Sequence, residues 1–316
     1  MSVTELKPVP RQTRSARFRA LLASGKTSFL MEAHNGLSAR IVEDEQFDGI
    51  WASGLTISTA LGVRDANEAS WTQVLEVVEL MADATSLPIM LDGDTGFGNF
   101  NNARRLVRKL CQRDIAAVCL EDKIFPKTNS LIDGAHALAD VREFAGKIKA
   151  CKDSQIDPDF SIVARVEALI ANRGMTEALD RAASYADAGA DAILIHSKKP
   201  DADEILTFAK LWQNRAPLVI VPTTYHTTPT EAFEAAGIGM VIWANHNLRA
   251  AMAVMRETCR HLRQHRSLAG IEPRVAALKD LWALLDYDEL AAAESTYLPG
   301  DEPAVETKPR RRARVM

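Results

Sequence analysis

Three acids follow two short apolar runs. Asp92 and Asp94 come after Pro88-Ile-Met-Leu, and Glu121 comes after Ala116 to Leu120. Residues two apart on an extended backbone point the same way, so Asp92 and Asp94 should share a face. Glu121, on an adjacent strand, would complete a cluster of three carboxylates. Left alone, such a cluster repels itself and raises its own pKa values; a cation relieves it. An all-oxygen donor set suits a hard divalent ion, Mg²⁺ or Mn²⁺. The competing reading is that these acids are helix caps and surface groups. Asp65, in Val-Arg-Asp-Ala-Asn, either joins the cluster through water or caps the helix that follows.

Beyond Glu121 a polar loop carries Lys123, Lys127, Asn129 and Ser130 past Pro126. A cationic loop beside a carboxylate strand end suits a cation beneath an anionic ligand. Arg165 stands at another strand end, where an unpaired charge is costly. It is either a clamp for a phosphoryl group or carboxylate or the partner of an acid such as Glu167. His196 is either structural or a donor to an anionic oxygen. Trp51 and Ser53 should border the same pocket, and Gly54 and Leu55 could offer backbone N–H groups to a developing oxyanion.

Eight apolar runs alternate with amphipathic stretches and would position these groups. The strands are predicted at Ser28 to Glu32, Gly49 to Ala52, Ile89 to Asp92, Ala116 to Leu120, Ser161 to Arg165, Ala192 to Ile195, Leu218 to Val221 and Met240 to Trp243. The helices include one from Ala16 capped by Ser15, one from Asn67 to Ala84 and a long one from Asn247 to His265. Strands this apolar are covered by helices on both faces, and eight units match a closed (β/α)8 barrel, an α/β fold of the TIM type. An open doubly wound sheet is the alternative, weakened by the lack of a GxGxxG turn after the first strand. Residues 273 to 297 form a C-terminal helical extension whose apolar Leu278, Leu281, Trp282, Leu284 and Leu285 must cover the barrel or a neighbouring subunit.

The domain reading is a flexible arm over residues 1–14, one barrel domain with its C-terminal helices over 15–298, and a disordered basic tail over 299–316. The tail gathers Lys308, Arg310, Arg311, Arg312 and Arg314. A formal charge of −4 gives no reason to expect nucleic acid. No apolar run is long enough for a membrane helix. The four cysteines show neither CxxC spacing nor a disulfide pattern, which suits a reducing, cytoplasmic compartment. The N-terminus has no apolar segment of a secretory signal, and Glu5 and the prolines argue against a transit peptide.

Taken together, Trp-Ala-Ser-Gly-Leu (51–55), Gly-Val-Arg-Asp (62–65), Asp-Gly-Asp-Thr-Gly-Phe-Gly-Asn (92–99), Glu-Asp-Lys-Ile-Phe-Pro-Lys-Thr-Asn-Ser (121–130), Ala-Arg-Val-Glu-Ala (164–168), His-Ser-Lys-Lys (196–199) and Trp-Ala-Asn-His-Asn-Leu-Arg (243–249) resemble the phosphoenolpyruvate mutases. These belong to the isocitrate lyase / phosphoenolpyruvate mutase superfamily. The resemblance covers nearly all of residues 15 to 298. It implies Mg²⁺-dependent interconversion of phosphoenolpyruvate and phosphonopyruvate, and a downstream decarboxylase that drains the product. It also implies a dimer or tetramer in which the eighth helix is swapped between subunits. By the same resemblance Asp92 is the direct metal ligand, while Asp65, Asp94 and Glu121 hold metal-bound waters. Trp51, Ser53, Gly54 and Leu55 bracket the pyruvyl part. Lys127, Asn129, Arg165 and His196 hold the phosphoryl group, under a lid of residues 122 to 136. Gly93 and Phe97 depart from the family pattern, which has Ala and Tyr there. Carbon–carbon lyases of the superfamily carry a lid Cys that this chain lacks. Phosphonopyruvate hydrolase, with Thr at the position of Asn129, is the nearer rival, and a non-enzymatic barrel is the remote one.

Overall fold

The structure, a computed structural model, describes residues 12–298. The expected basic tail, and the expected arm up to residue 11, lie outside the described residues. Eight strands run in parallel, each beside the next, and β1 closes on β8. They are β1 (Ser28–Ala33), β2 (Gly49–Ala52), β3 (Ile89–Asp92), β4 (Ala117–Glu121), β5 (Ser161–Val166), β6 (Ala192–Ile195), β7 (Leu218–Ile220) and β8 (Met240–Trp243). The open-sheet alternative is therefore wrong. The helices are α1 (Arg14–Ala23), α2 (Gly36–Asp44), α3 (Gly54–Ala60), α4 (Trp71–Ala84), α5 (Phe100–Cys111), α6 (Val141–Lys152), α7 (Gly174–Asp187), α8 (Asp203–Trp212), α9 (Thr230–Ala235), α10 (His246–His265), α11 (Leu278–Leu284) and α12 (Tyr287–Tyr297).

Strand periodicity sorts the buried residues into two cores. Leu30, Trp51, Met90, Ala117, Cys119, Val163, Ala192, Leu194, Val219, Met240 and Ile242 pack together in the barrel interior. Their neighbours, such as Ile50, Leu91, Val118, Ile162 and Ile193, join the layer between strands and helices. Phe18 and Leu22 of α1 belong to the interior cluster, so α1 plugs the end of the barrel where the strands begin. Arg17 fixes it there by donating to the Ser86 carbonyl at 2.8 Å, just ahead of β3. That leaves the opposite end, where the strands finish, open to chemistry.

Two local expectations fail, and one helix was not expected. Thr13, not Ser15, caps α1 by accepting from the Ala16 N–H; Ser15 lies inside the helix and is buried. The helix expected from Asn67 begins at Trp71, because Ser70 and Gln73 form a reciprocal capping box there. A short helix, α3, follows β2 directly; its two turns are too few to show an apolar period.

The chain divides into two compact units at Arg256/Glu257, within α10. The second unit holds the end of α10, a 3-10 turn at Glu272–Arg274, α11 and α12. Within it Leu278, Trp282 and Tyr297 are exposed by 67%, 48% and 82%, more apolar surface than one small helical unit needs.

Gly93 stands where the packing leaves no room for a side chain. A Cβ there would stand 2.6 Å from Val118 Cγ2, 2.9 Å from Leu120 Cδ2 and 3.1 Å from the Cys119 carbonyl oxygen. Gly93→Ala should therefore lower stability by about 1–3 kcal/mol through overpacking. Thermal denaturation of the single variants and of Gly93→Ala/Val118→Ala checks it: the double variant should lose less than the two singles summed.

Candidate active site

The interior-facing phase of each strand runs on into the polar rim. Met90 is followed by Asp92, Cys119 by Glu121, Val163 by Arg165 and Leu194 by His196, each two residues later. Register brings Glu121 beside Arg165 on β4 and β5. All four rim side chains are buried. Asp94 reaches the same rim differently. It lies past the end of β3 at φ 49°, a left-handed turn that Asp tolerates, with its N–H 3.3 Å from Asp92 Oδ1. The two aspartates converge through that turn, and the expected shared strand face is corrected on this point.

The acids collect around one ammonium. Lys127 Nζ lies 2.7 Å from Asp65 Oδ1 and 2.5 Å from Asp94 Oδ1, with its side chain 4% exposed. Burial, and then the neighbouring Asp92, Asp65 and Glu121 charges, push the Asp94 carboxyl up to about 7 against the pull of Lys127. Burial likewise pushes Glu121 up to about 7, against the pull of Arg165. Glu121 Oε1 has no hydrogen-bond partner among the described residues. Gly54 sits close over this group: its N–H donates to Asp92 Oδ2 at 3.2 Å, and a Cβ would stand 3.0 Å from Asp94 Oδ1. Ser53 caps α3, accepting from the Thr56 N–H at 3.4 Å.

A second cluster lies alongside. Arg165 Nε donates to Glu167 Oε1 at 2.6 Å and stands 3.5 Å from Glu121 Oε2. Arg165 Nη2 donates to Ser130 Oγ at 3.0 Å, and Ser130 donates to Glu167 Oε2 at 2.6 Å. Lys123 Nζ joins Ser130 Oγ at 2.5 Å and Glu167 Oε2 at 3.2 Å. Burial alone would raise the Glu167 carboxyl, but Arg165, His196 and Lys123 hold it well below the usual carboxylate range. Burial, reinforced by the Arg165 charge, lowers the His196 pKa. Its Nδ1 lies 2.9 Å from Arg165 Nη2 and 2.8 Å from Glu167 Oε1. Arg165 can only donate, so a ring accepting at Nδ1 carries its proton on Nε2; a ring protonated at Nδ1 donates to Glu167 instead.

The loop between β4 and α6 lies over both clusters. Its stem is anchored by Asp122, which accepts from the Glu167 N–H at 2.8 Å, the Tyr185 hydroxyl at 2.8 Å and Arg181 Nη1 at 3.0 Å. Further along, Asn129 Nδ2 donates to Asp65 Oδ2 at 2.7 Å. The cavity beneath the loop is about 60 Å³. It is lined by Trp51, Ser53, Leu55, Asp65, Asp92, Glu121, Lys127, Asn129, Ser130, Arg165 and His196, among others.

The sequence profile of the phosphoenolpyruvate phosphomutase family matches residues 18–263. The phosphoenolpyruvate phosphomutase of Tetrahymena pyriformis is 58% identical over 300 residues, covering 94% of this chain and all of that one. The chain belongs to the phosphoenolpyruvate phosphomutase family. Its barrel is similar to the crystal structure of the phosphomutase from Streptomyces platensis subsp. rosaceus, with a TM-score of 0.89 and 44% identity over 90% of this chain and 99% of that one. It is also similar to a phosphonopyruvate hydrolase crystallised with oxalate and Mg²⁺, at a TM-score of 0.86 and 38% identity over 91% of this chain and all of that one.

In this phosphomutase-family barrel the rim thus gathers Trp51, Ser53, Gly54, Leu55, Asp65, Asp92, Asp94, Glu121, Lys127, Asn129, Arg165 and His196, as sequence reasoning expected. Both readings of Arg165 hold together, since it pairs with Glu167 and still lines the cavity. Thr223 and Asn245, just past β7 and β8, also line the cavity, and Thr223 Oγ1 is buried without a hydrogen-bond partner among the described residues. The strand-end rule could have found them. Asn67, whose Nδ2 donates to Asp94 Oδ2 at 2.7 Å, had no such signal.

Among the described residues no three His, Cys, Asp or Glu side chains converge as a ready-made cage for a metal. A hard cation that keeps most of its waters needs only one or two direct carboxylates. The mutual repulsion of the acids and the orphaned Glu121 Oε1 fit such an ion. Asp94 and Glu121 lose their protons as pH rises through about 7, and only the ionised forms favour a cation. Mg²⁺ affinity, measured by calorimetric titration, should therefore rise between about pH 6 and about pH 8 and then level off. An affinity independent of pH would place both carboxyls away from the ion.

Proposed function

We propose that the chain is an isomerase that interconverts phosphoenolpyruvate and 3-phosphonopyruvate. The observation that carries this reading is the closed, cysteine-free loop. It sets Lys127, Asn129 and Ser130 against a buried acid cluster on one side and the Arg165–His196 pair on the other. In the forward direction the P–O bond of the enol phosphate breaks and a P–C bond forms at the methylene carbon of the pyruvate enolate. No proton is gained or lost overall.

Each group has a task in that sequence. Arg165, His196, Lys127 and Asn129 hold the phosphoryl oxygens while the phosphorus changes partner, and a loose phosphoryl transfer suits such positioning. Trp51, Ser53, Gly54 and Leu55 bracket the pyruvyl unit. Asp92 would hold Mg²⁺ (or Mn²⁺) directly, with Asp65, Asp94 and Glu121 acting through its waters. When bound, the ion supplies Lewis-acid stabilisation of enolate charge. The lid, residues 122 to 136, keeps out the water that would otherwise take the phosphoryl group.

Two features favour this reading over its rivals. A carbon–carbon lyase needs an acid on the lid, and this lid has no Cys among residues 122–136. A hydrolase must admit water, whereas Asn129 is tied to Asp65 and can hold a phosphoryl oxygen without offering water a path. The reading extends to a cytoplasmic homodimer or homotetramer built by swapping α10, which fits the exposed apolar residues of α11 and α12. The phosphonate forms uphill from an enol phosphate, so a phosphonopyruvate decarboxylase should consume it.

Phosphorus NMR of the protein with Mg²⁺ and phosphonopyruvate tests the reading. Phosphoenolpyruvate should appear; release of phosphate and pyruvate alone would make the protein a hydrolase, and no turnover would make it a scaffold. Asn129→Ala should cut kcat by about 10²–10³-fold, as for loss of one donor to developing charge. Mg²⁺ affinity should be unchanged in the same variant by calorimetric titration, and an unchanged kcat would remove Asn129 from the site.

A further inference from the structure

Asn67 lies in the segment between α3 and α4, at φ 57°, a left-handed conformation in which Asn is enriched. Both ends of its carboxamide are engaged at short range. Oδ1 accepts the backbone N–H of Lys127 at 2.7 Å, and Nδ2 donates to Asp94 Oδ2 at 2.7 Å. One planar group thus ties the lid's main chain to the β3 loop. Two residues earlier, Asp65 accepts from Asn129 Nδ2 and pairs with the Lys127 ammonium. The segment 65–67 therefore grips the lid at residues 127 and 129, once through the backbone and twice through side chains. The backbone bond does not depend on the lid's own side chains.

We infer that Asn67 is the positioning residue that latches the lid shut and sets the register in which Lys127 and Asn129 enter the site. This rests on the mutase reading for its consequence, because a lid held in register excludes water from the phosphoryl group. The amide is required in both halves. A carboxylate at this position would still accept from the Lys127 N–H but would face Asp94 with like charge and no donor. An alanine would lose both bonds.

Trypsin reports on the latch directly. Cleavage at Lys127–Thr128 requires Lys127 to leave its pocket, where its side chain is 4% exposed. Asn67→Ala should speed that cleavage about tenfold without substrate, the scale set by one or two net hydrogen bonds. Cleavage at exposed sites elsewhere should keep its rate. The same variant should shift the products of phosphonopyruvate from phosphoenolpyruvate towards phosphate and pyruvate, with kcat falling more than KM rises. Asn67→Asp, which keeps the side-chain volume, goes through both assays and serves alone if the alanine variant does not fold; its lid should also open faster. Wild-type cleavage rates and product ratios in both variants, or in Asn67→Asp where it stands alone, would overturn the latch. If the wild-type protein makes no phosphoenolpyruvate, the mutase reading fails, while the trypsin rates still decide the role of Asn67.

Discussion

Too much negative charge is buried at one end of the barrel, and the rest of the site answers that excess. Burial holds Asp94 and Glu121 protonated up to about pH 7, reinforced at Asp94 by Asp92, Asp65 and Glu121 and at Glu121 by Glu167. Coulomb attraction strengthens as water is excluded, so an ammonium is worth most where the acids are driest. The lid delivers that ammonium. Lys127 is therefore both cover and counter-charge for the acids beneath the loop.

The second cluster solves the opposite problem. Arg165 and Lys123 would be costly in the interior without a shared anion. Glu167 provides it, holding Arg165 through Oε1 and Lys123 through Oε2. Ser130 sits between them, accepting from Arg165 and donating to Glu167, so a lid residue completes the network. Asp122 then fixes the loop's origin by accepting from the backbone of Glu167 itself. The lid is consequently bound to the barrel at its stem by Asp122, at its middle by Asp65 and Asn67, and at Ser130 by the Arg165 network. Its Ile124, Phe125 and Ile132 remain about half exposed or more.

What could be read from the sequence followed from periodicity. Four strands, β2, β3, β6 and β8, have the bounds that their apolar runs suggested, because a strand buried on both faces declares itself by composition. The rim residues were legible for the same reason: Asp92, Glu121, Arg165 and His196 continue an inward phase already set by core residues. Asp94 was found by its motif, but its route to the site was misread, since a left-handed turn leaves no periodic trace. Asn67 was absorbed into a helix because apolar spacing in α4 does not mark where the first turn begins; the capping pair Ser70 and Gln73 does. The loop's bonds were illegible altogether, because they join residues 35 to 64 apart in sequence and depend on loop geometry that no pattern encodes.

Asn129 shows how one lid side chain can be both anchored and available. Its Oδ1 accepts from the Leu131 N–H at 3.0 Å and its Nδ2 donates to Asp65, so the plane of the amide is fixed. A primary amide has two N–H bonds, and Asp65 takes one. The second remains for an acceptor in the cavity that Asn129 lines, and it cannot be lost or gained as a proton at ordinary pH. A hydroxyl in the same place has a single hydrogen and would have to choose between Asp65 and the ligand. A thiol would bring a proton that can leave, which suits making or consuming a carbanion but does nothing for a group that migrates without proton transfer. For the proposed migration, the amide at 129 would supply a fixed donor and no acid.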